Sequence, residues 1–245
     1  MRQPGQLDLS DSRSGLYRYS AAVSLPAGPE PRWRRLPEER PAQILKAALT
    51  EFGESGLAGA RLDDIAKRAG LSKGTIYLYF PNKEELFREV VRYTVVSQLE
   101  ESERQFGEVT GSATEALTQF MRSFWLFIRS SQFAPLFRLI HAEIHNYPDL
   151  ARFYAEEVVT RRHRLIASII ARGIETGEFR DVDPAVAARM LTAPFVMHGL
   201  WCTHRECFAS VATETDDEVL EELMQFYLHS IRADADNVST TSRNS

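Results

Sequence analysis

The chain has 245 residues, 44% hydrophobic and 26% charged, with a net charge of −5 at neutral pH. That composition builds an ordinary folded core and excludes a polybasic chain that coats nucleic acid through its overall charge, so any basic surface has to be local. Two cysteines, Cys202 and Cys207, provide no disulfide framework. No apolar run reaches the roughly 20 residues that span a bilayer, and no basic region followed by an apolar stretch opens the chain. The expectation is a soluble cytoplasmic protein.

Residues 1–36 mix Gly, Ser, Pro and Arg without a persistent period and read as a disordered extension. Within them, Arg32, Arg34 and Arg35 around Trp33 read either as a solvated tail or as a basic arm on a DNA backbone. From residue 37 the pattern is helical, with Pro37 or Pro41 suited to a first turn. Ile44, Leu45, Ala48, Leu49 and Phe52 form an apolar stripe that Gly53 and Gly56 should end. Leu62, Ile65, Ala66 and Ala69 form a second stripe, stopped by Gly70. Ser72 starts a third, very short helix that cannot pass Pro81. Asn82 then caps a long helix, with Glu85 three residues on as in a capping box.

The same punctuation recurs downstream. Ser112 with Glu115 and Thr215 with Glu218 are two more capping boxes, and Asp183 before Pro184 is a cap followed by proline. Pro148 and Gly177 mark helix junctions, and residues 233–245 read as a disordered tail. No segment alternates as a strand does. The expected fold is all-α, with about nine helices.

Residues 61–80 read as helix, tight turn and short helix, the arrangement of a helix-turn-helix whose second helix enters the DNA major groove. Ile76 and Phe80 lie four apart and should pack inward on Ile65 and Ala69. Lys73 and Tyr77 share another face, with Gly74 between them and Thr75 and Tyr79 beside them. Such a face offers a cation, two phenols, a hydroxyl and a glycine that lets the backbone approach. Ser72 caps the helix, whose free amides attract phosphate. Over residues 61–83, five basic residues (Arg61, Lys67, Arg68, Lys73, Lys83) face two acidic ones (Asp63, Asp64), a net +3 in a chain of net −5. A hairpin with aromatics serving only the core would not invert the local charge.

The stretch "FGESGLAGARLDDIAKRAGLSKGTIYLYFPNKEELF" closely resembles the DNA-binding domain of the TetR/AcrR family of transcriptional regulators. That resemblance implies a DNA-binding domain over 37–83 and a helical ligand-binding and dimerisation domain over 84–232. It implies a ligand-responsive regulator, most often a repressor, that binds a palindromic operator as a homodimer and is released by a small-molecule effector. Matched by position, the start of the recognition helix at Ser72, Lys73, Gly74 and Thr75 would meet DNA. Tyr77 would contact base or sugar, and Tyr79 and Lys83 phosphates. Two residues depart from the pattern. Arg61 stands where a capping Thr or Ser is usual, forfeiting typically ~1 kcal/mol while gaining reach to a phosphate. Leu78 stands where a polar or aromatic residue is commoner.

The resemblance also implies dimerisation through helices at about 184–206 and 216–232, packed as a four-helix bundle. The first is apolar almost all round, and the second carries Val219, Leu220, Leu223, Phe226, Tyr227 and Ile231 on one broad face; an intramolecular core explains that period equally. Between them and the DNA domain lies an aromatic-rich region with an implied small-molecule pocket for an apolar or aromatic effector. Its candidate residues are Trp125, Phe137, His141, Phe153, His198 and Trp201, each of which also reads as plain core. "HAEIH" places His141 and His145 four apart, with Glu143 nearby, and "HGLWCTHREC" does the same for His198 and Cys202, with His204 and Cys207 following. Metal binding or thiol redox chemistry competes there with ordinary packing. No cofactor or metal is expected, and no phosphate-cradling loop, nucleophile elbow or metalloprotease motif points to an enzyme.

Overall fold

The computed structural model describes residues 39–107, 111–143, 145–203, 206 and 214–233. The expectations for residues 1–36, His204, Cys207 and residues 234–245 lie outside them. Among the described residues there are nine helices and no strand, as the periodicity predicts. They are α1 (Glu39–Gly59), α2 (Leu62–Arg68), α3 (Lys73–Tyr79), α4 (Lys83–Val91, continuing through a π-helical turn at Arg92–Val96 into Ser97–Phe106), α5 (Ala113–Ile128) and α6 (Phe133–Glu143). Then come α7 (Pro148–Tyr154, through a π-helical turn at Ala155–Thr160 into Arg161–Glu175), α8 (Pro184–Thr203) and α9 (Asp216–Ile231).

The helix ends follow the capping residues. Ser72 Oγ accepts the Thr75 amide at 3.2 Å, and Asn82 Oδ1 accepts that of Glu85 at 2.8 Å. Thr215 and Glu218 make the full reciprocal box, whereas Glu85 turns to Arg88 instead. Asp183 Oδ1 accepts the amides of Ala185 and Val186 behind Pro184. After α2, Gly70 takes a left-handed φ of 68°, and the Gly70 and Leu71 amides return to the Lys67 and Ala66 carbonyls, closing a Schellman turn. This is the tight turn of the helix-turn-helix.

One expected boundary moves. Helix α1 runs through Gly53 and breaks at Gly56 (φ 67°), after which a single further turn reaches Gly59. The Leu57 amide freed by that break donates to Glu143 Oε1 of α6 at 2.9 Å. Glu143, part of the "HAEIH" candidate, thereby holds α1 to α6.

Two apolar clusters carry the fold. The first joins Ile44, Phe52, Ile65, Ile76, Phe80 and Phe87 and continues into Leu136, Leu139 and Ile140 of α6 and Leu150 and Val158 of α7. The second joins Leu117, Phe120, Trp125, Ile166, Ile170, Phe195 and Met224, with Leu99 of α4 and Phe133 and Phe137 of α6. Helices α4, α6 and α7 thus contribute to both. The apolar face of α9 is not one broad surface, as its sequence suggests. Leu220, Met224, Tyr227 and Ile231 are buried, and the Tyr227 hydroxyl donates to the Ala187 carbonyl at 2.7 Å, while Phe226 is 77% exposed. On α8, Ala188, Leu191 and Phe195 face inward, and Val186, Met190 and Met197 face out.

The entry to α5 is held by a carboxylate remote in sequence. Glu178 accepts the Ser112 hydroxyl at 2.7 Å and the Ala113 and Thr114 amides at 2.7 and 2.9 Å. Burial alone would raise its pKa, but these hydrogen bonds outweigh it and lower the value from 4.5 to about 2. The stabilisation is therefore complete above pH 4.5 and drains as pH falls towards 2. Glu178→Gln should cost about 1–3 kcal/mol at neutral pH. In urea melts across pH, the gap from wild type should close through that acid window. Beside it, a Cβ on Gly173 would overlap the Phe179 ring. Gly173→Ala should destabilise by about 1–3 kcal/mol in the same melts.

Candidate nucleic-acid interface

Seven residues are too few for an autonomous helix, so α3 exists because its inner face is packed. Ile76 and Phe80 are buried as their spacing predicts, and the helix presents Lys73, Gly74, Tyr77 and Leu78 outward. Tyr77 is 46% exposed and Leu78 69%. Leu78 is thus an outward apolar position beside the groove-facing residues. Thr75 is half-buried, with its hydroxyl 2.8 Å from Ser72 Oγ.

Tyr79 requires a correction. Its ring is buried with Ile76 and Phe80, and its hydroxyl is enclosed without a hydrogen-bond partner among the described groups. Tyr79 stands three residues after Ile76, and helix positions three and four apart share a face, so it lies on the inward side with Ile76 and Phe80 and does not flank Lys73 and Tyr77. An unpaired buried hydroxyl costs about 1–3 kcal/mol. Tyr79→Phe should therefore raise the thermal midpoint, and a fall would refute this reading of the phenol.

The cations are partly committed. Lys73 Nζ pairs with Asp63 at 2.7 Å and sits 5.9 Å from the Tyr77 ring centre. The hydrogen bond to Asp63 raises the lysine's pKa further, so the ammonium stays charged. Arg68 turns away to Glu51 and Glu54. Lys83 Nζ donates to the Ala58 carbonyl at 2.8 Å. Arg61 is exposed at the start of α2 and makes no side-chain cap, as its identity predicts. Arg61, Lys73 and Lys83 come together with Tyr77 and Asn82 around an open groove of about 380 Å³, which Asp63 and Glu84 also line. The N-terminus of α4 opens onto the same groove and adds its positive dipole end. Three cations, a phenol and a helix terminus thus line one groove beside the outward face of α3.

The candidate pocket residues include two contacting pairs, Trp125 with His198 and Phe137 with His141, while Phe153 packs on the other apolar cluster. Trp125 is buried, stacked on the His198 imidazole at 4.7 Å and edge-on to Phe195. Phe137 stacks on Phe133 and lies 3.9 Å from the His141 ring, yet His141 itself is exposed, with Nδ1 2.9 Å from the Phe137 carbonyl oxygen. Phe153 belongs to the other apolar cluster, beneath the Arg92 guanidinium at 5.0 Å. Trp201 is half-buried on α8. Helical spacing identified apolar faces correctly but could not say which faces share a cavity.

One residue had no sequence signal. Arg162, within a run of basic residues, is buried with its guanidinium 4.7 Å over the Phe124 ring. Desolvation lowers its pKa, and the nearby Tyr154 phenol partly opposes this.

Comparison with known proteins agrees with this geometry. Residues 44–90 match the family model "Bacterial regulatory proteins, tetR family", and residues 108–225 match "Tetracyclin repressor-like, C-terminal domain". The chain is 26% identical over 201 residues to the HTH-type transcriptional regulator YhgD of Bacillus subtilis, covering 78% of this chain and 95% of that one. A crystal structure of a TetR-family transcriptional regulator from Mesorhizobium loti superposes with a TM-score of 0.61 at 27% identity, over 80% of this chain and 98% of the other. FadR of Bacillus subtilis, solved in complex with stearoyl-CoA, shares the fold with a TM-score of 0.62 at 23% identity, over 76% and 97%.

Proposed function

The chain belongs to the TetR family of bacterial regulatory proteins, and from that premise we propose that it is a ligand-responsive, non-enzymatic DNA-binding repressor working in the cytoplasm. The observation that carries the reading is the outward face of α3, where Lys73, Gly74 and Tyr77 stand clear of a core-anchored helix beside the groove formed with Arg61 and Lys83. In this reading, the 72–75 turn and Tyr77 enter the major groove, while Arg61 and Lys83 meet phosphates. Lys73 exchanges Asp63 for DNA. Tyr79 supports α3 from behind and is not among the contacts.

A palindromic operator requires two copies of α3. The exposed apolar side chains Val186, Met190 and Met197 of α8 and Phe226 of α9 support pairing of α8 and α9 with the same helices of a second copy. An apolar or aromatic effector acts through helices α4, α6 and α7, which contribute to both apolar clusters. A molecule that binds better when the second cluster is rearranged shifts the first, and with it the spacing of the two α3 helices. FadR's complex with stearoyl-CoA supports an acyl-type candidate for the first ligand screen.

Footprinting on DNA upstream of its own and neighbouring genes should reveal a protected inverted repeat. Tyr77→Ala and Lys73→Ala should each weaken that binding by about 5- to 150-fold, from loss of contacts worth about 1–3 kcal/mol. Lys83→Ala should lower the slope of log affinity against log salt by about 0.9. Retained affinity in all three would exclude α3 as the reading helix. Met190→Glu combined with Phe226→Glu should yield monomers in sedimentation experiments while α3 remains folded.

A further inference from the structure

We propose that His198, Cys202 and Asp216 form a binding site for a zinc-class divalent cation that ties α8 to α9. His198 and Cys202 are four residues apart on one face of α8, and Asp216 is the first residue of α9. Their ligand atoms all lie within 4.8 Å of one another. The three edges are 3.2 Å between Cys202 Sγ and His198 Nε2, 3.5 Å between His198 Nε2 and Asp216 Oδ1, and 3.7 Å between Cys202 Sγ and Asp216 Oδ1. Bonds of ~2.3 Å to sulfur and ~2.0–2.1 Å to nitrogen or oxygen, at the tetrahedral angle, require edges of about 3.3–3.6 Å. The three atoms therefore bind a metal with shifts of only a few tenths of an ångström.

Neighbouring groups orient two of the three donors. The His198 ring is buried and stacked on the Trp125 indole at 4.7 Å, which sets its plane. Asp216 gives its other oxygen, Oδ2, to Arg129 at 2.6 Å, leaving Oδ1 turned to the site. The full Thr215–Glu218 capping box holds the backbone on which Asp216 stands. Groups that fix donors in this way tune affinity by about 10–100-fold. One thiolate, one imidazole and one carboxylate suit zinc and cobalt and disfavour magnesium and calcium, which take all-oxygen shells. The Arg129 link brings α5 into the same assembly.

The test uses the full chain, stripped by chelator under reducing conditions and titrated with cobalt(II). A thiolate-to-cobalt band in the near ultraviolet, with tetrahedral bands in the visible, should saturate at equal metal and chain and bleach on adding zinc. Cys202→Ser should abolish the thiolate band, and His198→Asn and Asp216→Asn should each weaken cobalt binding by ~10–100-fold or more. No band in the wild type, or a thiolate band kept with Cys202→Ser, overturns the site. Replacing Asp216 also disturbs the start of α9, so the wild-type protein supplies a second readout. Zinc, but not magnesium at the same concentration, should raise its thermal midpoint; an equal response to both overturns the proposal.

Discussion

The packing of Ile76 and Phe80 beneath α3 is the constraint on which the rest depends. A seven-residue helix does not hold its shape alone. Its direction is set by the two buried side chains, which lodge among residues of α1, α2 and α4. Everything that makes the outer face chemically useful follows from this anchoring. It turns Lys73, Gly74 and Tyr77 outward, and it places Lys73 within reach of Asp63.

The cluster that anchors α3 does not stop at the helix-turn-helix. It continues into Leu136, Leu139 and Ile140 of α6, and the Glu143 carboxylate secures the broken end of α1. Close-packed interiors shift between discrete arrangements rather than deforming smoothly. Side chains of α6, α1 and α3 belong to one continuous apolar cluster. The π-helical turns in α4 and α7 fall where these helices pass from one cluster to the other. Each adds a residue to its turn and rotates the following apolar stripe towards its new partners.

At the far end, α8 and α9 use apolar residues on two sides. One side closes the second cluster, and the other leaves Met190 and Phe226 in solvent. Single apolar residues on a surface are ordinary, and it is their number on these two helices that supports the proposed pairing with a second copy. Polar devices hold this end in place: Glu178 caps α5, Tyr227 bonds the Ala187 carbonyl, and Arg129 reaches Asp216. Their partners lie far apart in the chain, which is why they are invisible as local patterns.

The sequence by itself determined the helices, their caps, the turn at Gly70 and the helix-turn-helix, because propensity, capping and periodicity act within a few residues of each other. It also determined the outward character of Lys73 and Tyr77 and the missing cap at Arg61. Tertiary structure alone decided that Glu143 serves α1 and that Glu178, with no motif of its own, caps α5. It put Trp125 and Phe137 in one apolar cluster, with His141 against Phe137, and packed Phe153 on the other cluster. It also brought Asp216, legible only as a first-turn acid, to His198 and Cys202. The reason is the same throughout. Periodicity reveals which face of a helix is apolar, whereas the partner of that face depends on chain crossings tens of residues away, where only packing and the pairing of buried polar groups select the match.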